Sequence, residues 1–316
     1  MPDDAATVDN SRVIDDRDLL LDGNGTDGPV RMPSRPSPPV PPHGRPVRKD
    51  EIELLDRGVY IESWLPERRS RRKPLLFIHG ELGGSWLWER YLAFFASRGW
   101  EGHALNLRNH FWSTTADPAS LSFESYTDDV VASMDRLGSD TVAIGHGMGA
   151  LLALKAAEQH RPAALILLSP ELPAGLRTEA LPFQLADVPD LYSRSLIGWS
   201  TLPEKLLRDH RDLTLADVLR VQHMLGQKAH ESGLARRQMM QGVAVDRRSV
   251  QFIPKLVIGA GLDRHVPEED SLHLADWLGA DYEPFGAHSH FGLVMGEQSY
   301  LQVAEAIKTF LETHRL

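Results

Sequence analysis

The chain has 316 residues, 42% of them apolar and 25% charged, which suits one sizeable core domain with an insertion. Its formal net charge of -10 argues against nucleic acid, whose phosphates attract basic surfaces, and leaves small molecules or proteins as the expected partners. Cysteine is absent, which excludes disulfides, thiolate metal sites and cysteine nucleophiles, and no protein partner is assigned.

Residues 1–46 are rich in Pro, Gly and Asp, a composition that predicts a disordered tail. The acidic start lacks the basic and apolar regions of a secretory signal. No apolar run approaches the roughly 20 residues that a membrane-spanning helix needs. We therefore expect a cytoplasmic protein that does not bind membranes.

Short apolar runs alternate with helical patterns from about residue 54 onward. Runs typical of strands lie at 58–64, 74–78, 103–107, 141–144, 164–168, 255–258 and 281–285, and helical patterns lie at 91–97, 126–137, 150–159 and 299–313. This alternation predicts an α/β fold with a mainly parallel sheet and helices on both faces. In such sheets, functional groups gather at the carboxyl ends of the strands.

The segment 171–250 interrupts this alternation with helical patterns and prolines, which predicts a helical cap inserted between two parts of the core, 47–170 and 251–316. The bulky apolar residues of the cap are Phe183, Leu191, Tyr192, Trp199, Met224, Met239 and Met240. Most are expected to pack between cap and core, and a minority to enclose an apolar ligand.

A glycine-rich turn joins the strand at 141–144 to the next helix. Its sequence, Gly-His-Gly-Met-Gly, has the spacing of a G-x-S-x-G nucleophile elbow, with Gly147 at the central position. Small residues at Gly145 and Gly149 fit the close approach of strand and helix that this turn requires. Gly147 suits the same backbone but provides no hydroxyl.

Three further strand ends contain polar residues. The strand at 74–78 runs into His79-Gly80-Glu81 and a glycine-rich loop, and the strand at 103–107 runs into a loop that contains Trp112. Downstream, Asp263 follows the strand at 255–258, and the loop after 281–285 contains two histidines.

Together these segments resemble the α/β-hydrolase superfamily, in particular its capped esterase, lipase and epoxide-hydrolase-like branch, over about residues 54–316. The resemblance implies Asp263 as the acid, His290 as the base and the backbone amides of Glu81 and Met148 as an oxyanion hole, with Gly147 vacant as nucleophile. The pocket or reserve candidates are His79, Gly80, His146, His288, Glu171 and Trp112.

Each of three reserve candidates has a specific reason. His288 is the alternative base, although the residues after His290 match the family pattern better. Glu171 follows the strand at 164–168, where some relatives place the acid. Trp112 either fills the pocket wall or packs within its loop. Most of the other histidines are expected at the surface.

Two serines are reserve nucleophiles, but neither lies on an elbow. Ser85 follows the glycine-rich loop and Ser169 ends the strand at 164–168, and loop or cap hydrogen bonding is the favoured interpretation of both. No H-E-x-x-H pattern suggests a metal and no phosphate-binding loop suggests a nucleotide, so no cofactor is predicted.

Three functions fit these features. The first is a non-covalent enzyme, a lyase, a cyclase or a hydrolase that activates water directly, acting on a small and largely apolar carbonyl compound. The second is a catalytically silent pseudoenzyme that binds a ligand or serves as a scaffold. The third is an ordinary serine esterase whose nucleophile was replaced by glycine.

Overall fold

The computed structural model describes residues 47–68, 70–114, 116–177, 187–197, 199, 202–227 and 230–316, and the predicted tail at 1–46 lies outside them. The strands are β1 (Val47–Leu54), β2 (Val59–Pro66), β3 (Leu75–Ile78), β4 (Gly102–Asn106), β5 (Val142–His146), β6 (Ala164–Leu168), β7 (Leu191–Tyr192), β8 (Glu231–Ser232), β9 (Lys255–Ala260) and β10 (Asp281–Phe285). The helices are α1 (Glu89–Ser97), α2 (Phe123–Leu137), α3 (Met148–Ala156), α4 (Pro203–Asp209), α5 (Leu215–Gln227), α6 (Gly233–Gln241), α7 (Glu268–Leu278), α8 (Gly292–Met295) and α9 (Tyr300–Thr313).

Eight of these strands form one sheet in the order β1-β2-β4-β3-β5-β6-β9-β10. β1 and β4 both run antiparallel to β2, and the other neighbours are parallel. The α/β fold with a mainly parallel sheet is therefore confirmed. β1 was not predicted, because its sequence, VRKDEIEL, is mostly charged and exposed, as suits an edge strand.

The central strands bury both faces, which explains their continuous apolar sequences. On β3, Leu75 and Phe77 belong to one core cluster with residues of α1 and α9. The alternate residues Leu76 and Ile78 belong to a second cluster with residues of α2, α3 and α7. Helices thus cover both faces, and the loops at the carboxyl ends of the parallel strands are left to form a site.

Between β6 and β9 the described chain contains β7, α4, α5, β8 and α6. β7 and β8 form a separate antiparallel pair in which Tyr192 lies opposite Glu231. Of the predicted cap residues, Tyr192, Trp199 and Met239 are buried, Leu191 is exposed, and Phe183 lies outside the described residues. The division of the chain into core and cap domains stays a prediction, and below "cap" names only the segment between β6 and β9 and "core" the rest of the described chain.

No helix in the described ranges has both the length and the apolar character that crossing a membrane requires.

Candidate active site

The turn between β5 and α3 has an unusual backbone. Gly147 has φ 55° and ψ -120°, a conformation that residues with a side chain rarely adopt. The turn is also tightly packed, since a Cβ on Gly145 would lie 2.3 Å from the carbonyl oxygen of Gly149, and one on Gly149 would lie 2.3 Å from that of Ile78. Glycine at 145 and 149 is therefore a steric requirement, and the turn has the form of the predicted elbow.

Asp263 and His290 form a hydrogen-bonded pair. Oδ1 of Asp263 accepts from the backbone amides of His265 at 2.7 Å and Val266 at 2.9 Å, which fixes the carboxylate. Oδ2 accepts from Nδ1 of His290 at 2.7 Å. Because a carboxylate only accepts, Nδ1 bears the proton, and Nε2 of the neutral ring keeps its lone pair.

Asp263 and His290 shift each other's pKa values. Burial alone would raise the pKa of Asp263, but His290 and the hydrogen bonds lower it to about 2. Burial alone would lower the pKa of His290, but Asp263, with smaller contributions from Glu171 and Glu81, raises it above its ordinary value. Asp263 therefore stays ionised and favours the protonated form of the ring.

The lone pair of His290 faces the glycine of the elbow. A Cβ on Gly147 would lie 3.2 Å from Nε2 and 3.5 Å from Cε1 of His290. A serine hydroxyl at this position would stand directly beside the base. The structure thus brings together Gly147, Asp263 and His290 as the sequence predicted.

His288, the alternative base, lies elsewhere in the same loop. Its ring is buried and packs edge-on against Phe285 at 5.0 Å, and it is not bonded to Asp263. Burial lowers the pKa of His288, in contrast to that of His290. The geometry therefore favours His290 as the predicted base.

The loop after β3 lies next to the elbow. His79 donates from Nδ1 to the carbonyl of Gly80 at 2.7 Å and accepts from the amide of Leu107 at 3.2 Å. A Cβ on Gly80 would lie 3.0 Å from the carbonyl oxygen of His146, so the loop backbone packs closely on the end of β5.

The two predicted oxyanion donors are the backbone amides of the residues that come directly after Gly80 and Gly147. No described residue accepts a hydrogen bond from the backbone amide of Glu81 or from that of Met148, the first residue of α3. The amides in the first turn of a helix have no partner within the helix and favour negative charge. That neither amide bonds to another described residue is what the predicted oxyanion role requires.

His146, the residue before the elbow glycine, supports His290. The two rings lie 4.2 Å apart, and Nε2 of His146 donates to the backbone carbonyl of His290 at 3.0 Å. Burial and the nearby His290 lower the pKa of His146 well below its ordinary value. Of the two rings, His290 is therefore the one that takes up a proton.

Glu171, the reserve acid, is part of a buried network that the sequence did not predict. Arg236 of α6 donates from one guanidinium nitrogen to Glu81 at 3.0 Å and to Glu171 at 2.9 Å. Arg177 donates to the other oxygen of Glu171 at 2.7 Å, and Tyr192 donates its hydroxyl to Glu81. Glu171 is thus paired with arginines and not with His290.

Within this network the pKa values of Glu81 and Glu171 are shifted in opposite directions. Burial raises the pKa of Glu81 above its ordinary value despite Arg236. For Glu171 burial is outweighed by Arg236 and Arg177, so its pKa is lowered. A cationic residue within an amphipathic cap helix is usually solvent-exposed, and nothing in the local sequence of Arg236 marks it as buried.

Among the described residues, the remaining predicted candidates have no hydrogen bond to Asp263 or His290. Trp112 packs against Tyr60 of β2 with ring centroids 6.3 Å apart and is 42% exposed. Ser85 is hydrogen bonded to the side chain of Asn106 through both its amide and its hydroxyl. Ser169 is buried with φ 38°, and its hydroxyl has no partner among the described residues, so it is not bonded to His290.

The expectation that most other histidines lie at the surface is wrong for several of them. Outside the named candidates, His103, His110 and His210 are buried. His103 lies in β4, His110 in the loop that follows it and His210 in the cap, and each contacts residues that are distant in sequence. No group of His, Asp and Glu in the described part of the chain has the arrangement of a metal site.

Comparisons with known proteins agree with the fold of the chain. A family model for the alpha/beta hydrolase fold matches residues 73–211. A sequence search of curated proteins gives no match. Similar solved structures include a bromoperoxidase from Bacillus anthracis, with 15% identity, a TM-score of 0.64 and coverage of 84% of this chain and 100% of that one.

Two further similar structures are named as hydrolases. One is a thermophilic esterase, with 18% identity and a TM-score of 0.60 over 85% of this chain and 98% of that one. The other is the thioesterase domain from the curacin biosynthetic pathway, with 17% identity and a TM-score of 0.56 over 85% of this chain and 100% of that one. Identities this low show a common fold alone. The sheet order, the family match and these neighbours show that the chain has the α/β-hydrolase fold.

Proposed function

We propose that this protein is a non-covalent enzyme in which His290 removes a proton from a small carbonyl compound. One observation supports the proposal above all: Nε2 of His290 lies beside Gly147, so no hydroxyl stands between the base and a ligand. Asp263 holds the ring in the tautomer that a base needs. A serine enzyme would use the same nitrogen to deprotonate its own nucleophile.

The proposed reaction begins with the transfer of a proton from the substrate to His290. Nε2 of His290 takes a proton from the carbon next to the carbonyl, and the C–H electrons form the C=C bond of an enolate. The negative charge on the oxygen is held by the amides of Glu81 and Met148. The proton then returns to the carbon. Alternatively, the enolate expels a leaving group from the neighbouring carbon and His290 gives the proton to that group, or the enolate carbon attacks a second carbonyl of the substrate and His290 protonates the new alkoxide.

Direct hydrolysis is the second candidate, favoured by the esterase and thioesterase among the structural neighbours. In this form His290 deprotonates a water molecule that attacks the carbonyl carbon, and the same amides hold the tetrahedral oxyanion. Triad enzymes that have lost a member keep about 10³ to 10⁴-fold catalysis over water from the hole and from binding. Covalent catalysis through residue 147 is impossible in either form.

The proton-transfer proposal can be tested without knowing the natural substrate. Simple ketones, β-keto esters and acyl thioesters are incubated with the protein in D₂O, and NMR follows deuterium entry next to the carbonyl. We expect exchange above the buffer rate for at least one compound, and loss of that exchange in His290→Ala. His273→Ala, which alters an exposed histidine on α7, is the matched control and should exchange like the parent.

Two results would overturn the proposal. If His290→Ala exchanged deuterium as fast as the parent protein, His290 would not be the base. If no compound exchanged or turned over, while some bound and were recovered unchanged, the silent ligand-binding function would replace the enzymatic one.

A further inference from the structure

Glu231 is a cap carboxylate that is buried among hydrogen-bond donors from the core. It is 1% exposed. Oε2 accepts from the amide of Leu82 at 2.9 Å and from Nε2 of His110 at 2.8 Å. Oε1 accepts from the hydroxyl of Tyr126 at 2.7 Å and from the amide of Ser232 at 3.0 Å. A carboxylate bonded on both oxygens to three separate parts of the core is held in one position.

Two more cap residues reach the neighbouring position of the same loop. Tyr192, which lies opposite Glu231 in the β7–β8 pair, donates its hydroxyl to one oxygen of Glu81. Arg236, in the first turns of α6, donates to the other oxygen at 3.0 Å. Three side chains of this part of the cap therefore contact two consecutive residues, Glu81 and Leu82.

The backbone of this loop needs such support. Leu82 has φ 56°, in the left-handed region that a residue with a Cβ rarely adopts. Within the described part of the chain, the side chain that accepts from its amide is that of Glu231. The same carboxylate holds His110, whose ring packs 4.7 Å from that of His79 at the start of the loop. Glu231 thus contacts the loop directly and through His110.

We propose that β7, β8 and the first turns of α6 form a clamp that sets the oxyanion-hole loop, with Glu231 as the positioning residue. The clamp fixes the backbone from which the amide of Glu81 donates, so displacement of the cap also disorders the donor. Its catalytic consequence rests on the proposed function, whereas its structural consequence does not. Substrate entry past the cap and assembly of the oxyanion hole then become one coupled event.

The first test measures amide hydrogen exchange by NMR in the full chain. Gly83 donates to the carbonyl of Gly80 at 3.1 Å and does not contact Glu231, so it reports on the loop as a whole. We expect the Glu231→Gln variant to exchange the Gly83 amide at least about 10-fold faster, because opening of the loop is no longer opposed. The amide of Gly147, bonded to Leu168 at 3.1 Å, should keep its protection.

Glu124→Gln is the matched control, since it makes the same change at an exposed position of α2. Glu231→Asp keeps the charge and should restore part of the protection. Tyr192→Phe removes a single hydroxyl from the clamp and serves if Glu231→Gln does not fold. Unchanged protection of Gly83 in Glu231→Gln, or in Tyr192→Phe where that variant is used, would overturn the clamp.

The second test uses the deuterium exchange assay. Loss of one oxyanion donor lowers kcat by about 10² to 10³-fold in other enzymes, and its effect is confined to the transition state. We expect Glu231→Gln to lower kcat by about 10²-fold with KM changed less than about 3-fold, and Glu231→Asp to recover part of kcat. An equal loss in Glu124→Gln, or a change in KM alone, would contradict a positioning role. If the parent protein shows no exchange activity, the proposed function fails while the amide measurement still decides the clamp.

Discussion

The two sides of the candidate site are built differently. Asp263 and His290 lie in the loops that follow β9 and β10, and their contacts are to each other, to nearby amides and to the end of β5. Glu81 and Leu82 lie in the loop that follows β3, and their side-chain partners come from the cap. The Asp263–His290 pair is therefore hydrogen bonded within the core, and the cap reaches its loop beside it, where Asp212 accepts from the amide of Ser289 at 2.8 Å. The side chain of Glu81 and the amide of Leu82, in contrast, are themselves bonded to cap side chains.

The largest change in stability is expected when Arg236, the cap arginine that contacts Glu81, is removed. Arg236→Met leaves Glu81 and Glu171 buried without their shared cation, and breaking a buried ion pair in this way costs about 4 kcal/mol. We expect the free energy of unfolding, measured with urea, to fall by about that amount.

Arg237→Met is the matched control on the same helix. Its ion-pair partner, Asp190, is 79% exposed in its side chain, and exposed pairs contribute about 1 kcal/mol or less. Similar losses in the two variants would mean that the Glu81 side does not depend on a buried cap contact.

A substitution in the elbow between β5 and α3 tests the part of the candidate site that the core holds. A Cβ on Gly145 would lie 2.3 Å from the oxygen of Gly149 and 2.5 Å from the backbone of Ala150, so the backbone must move. We expect Gly145→Ala to lower the free energy of unfolding by about 3 kcal/mol. Gly286→Ala adds the same methyl group where no atom lies within 4 Å, and should change stability by about 0.5 kcal/mol or less. Equal stability of the two variants would show that the turn is not tightly packed.

The titration of Asp263 gives a smaller effect. Its pKa falls from an ordinary 3.8 to about 2, so the pair contributes about 2 kcal/mol of stability that is fully present above pH 3.8. This contribution is lost as the pH falls through about 2. In Asp263→Asn, the difference in stability between pH 5 and pH 2 should shrink by about that amount, measured by urea unfolding at each pH. An unchanged difference would mean that Asp263 is not stabilised by His290.

His290 responds in the opposite sense. The folded state raises the pKa of His290 above the ordinary 6.5, so protonation of the ring favours folding. This contribution is fully present below pH 6.5 and is lost as the pH rises through the higher pKa of the folded state. Asp263→Asn removes the main cause of the shift, and burial should then bring the pKa of His290 below its parent value. An NMR titration of the ring measures this directly, and an unchanged pKa would contradict the assigned pairing.

The sequence predicted the side held by the core because its determinants are local. The elbow needs glycines at fixed spacing, and Asp263 and His290 each occur in a short pattern that follows a strand. The parallel strands were predictable for a similar reason, since burial on both faces produces continuous apolar runs. β1 was missed because an exposed edge strand has no such run.

The side held by the cap could not be predicted in this way. Arg236 lies 155 positions from Glu81, and Glu231 lies 149 positions from Leu82, so no local pattern connects them. β7 and β8 have two residues each, too few for a visible alternation. The bulky apolar residues of the cap are its most visible feature in the sequence. Its contacts to the loop after β3 come instead from charged and hydroxyl groups.

The proposed function requires His290 to act directly on the substrate, because residue 147 has no hydroxyl. It is tested most directly by comparing the parent protein with Gly147→Ser in two assays, deuterium exchange next to a carbonyl and hydrolysis of 4-nitrophenyl acetate with intact mass detection of an acyl-enzyme. The new side chain would lie beside Nε2 of His290, so we predict that the variant gains ester hydrolysis with an acyl-enzyme and loses deuterium exchange. Deuterium exchange as fast in Gly147→Ser as in the parent, or an acyl-enzyme formed by the parent itself, would contradict the account.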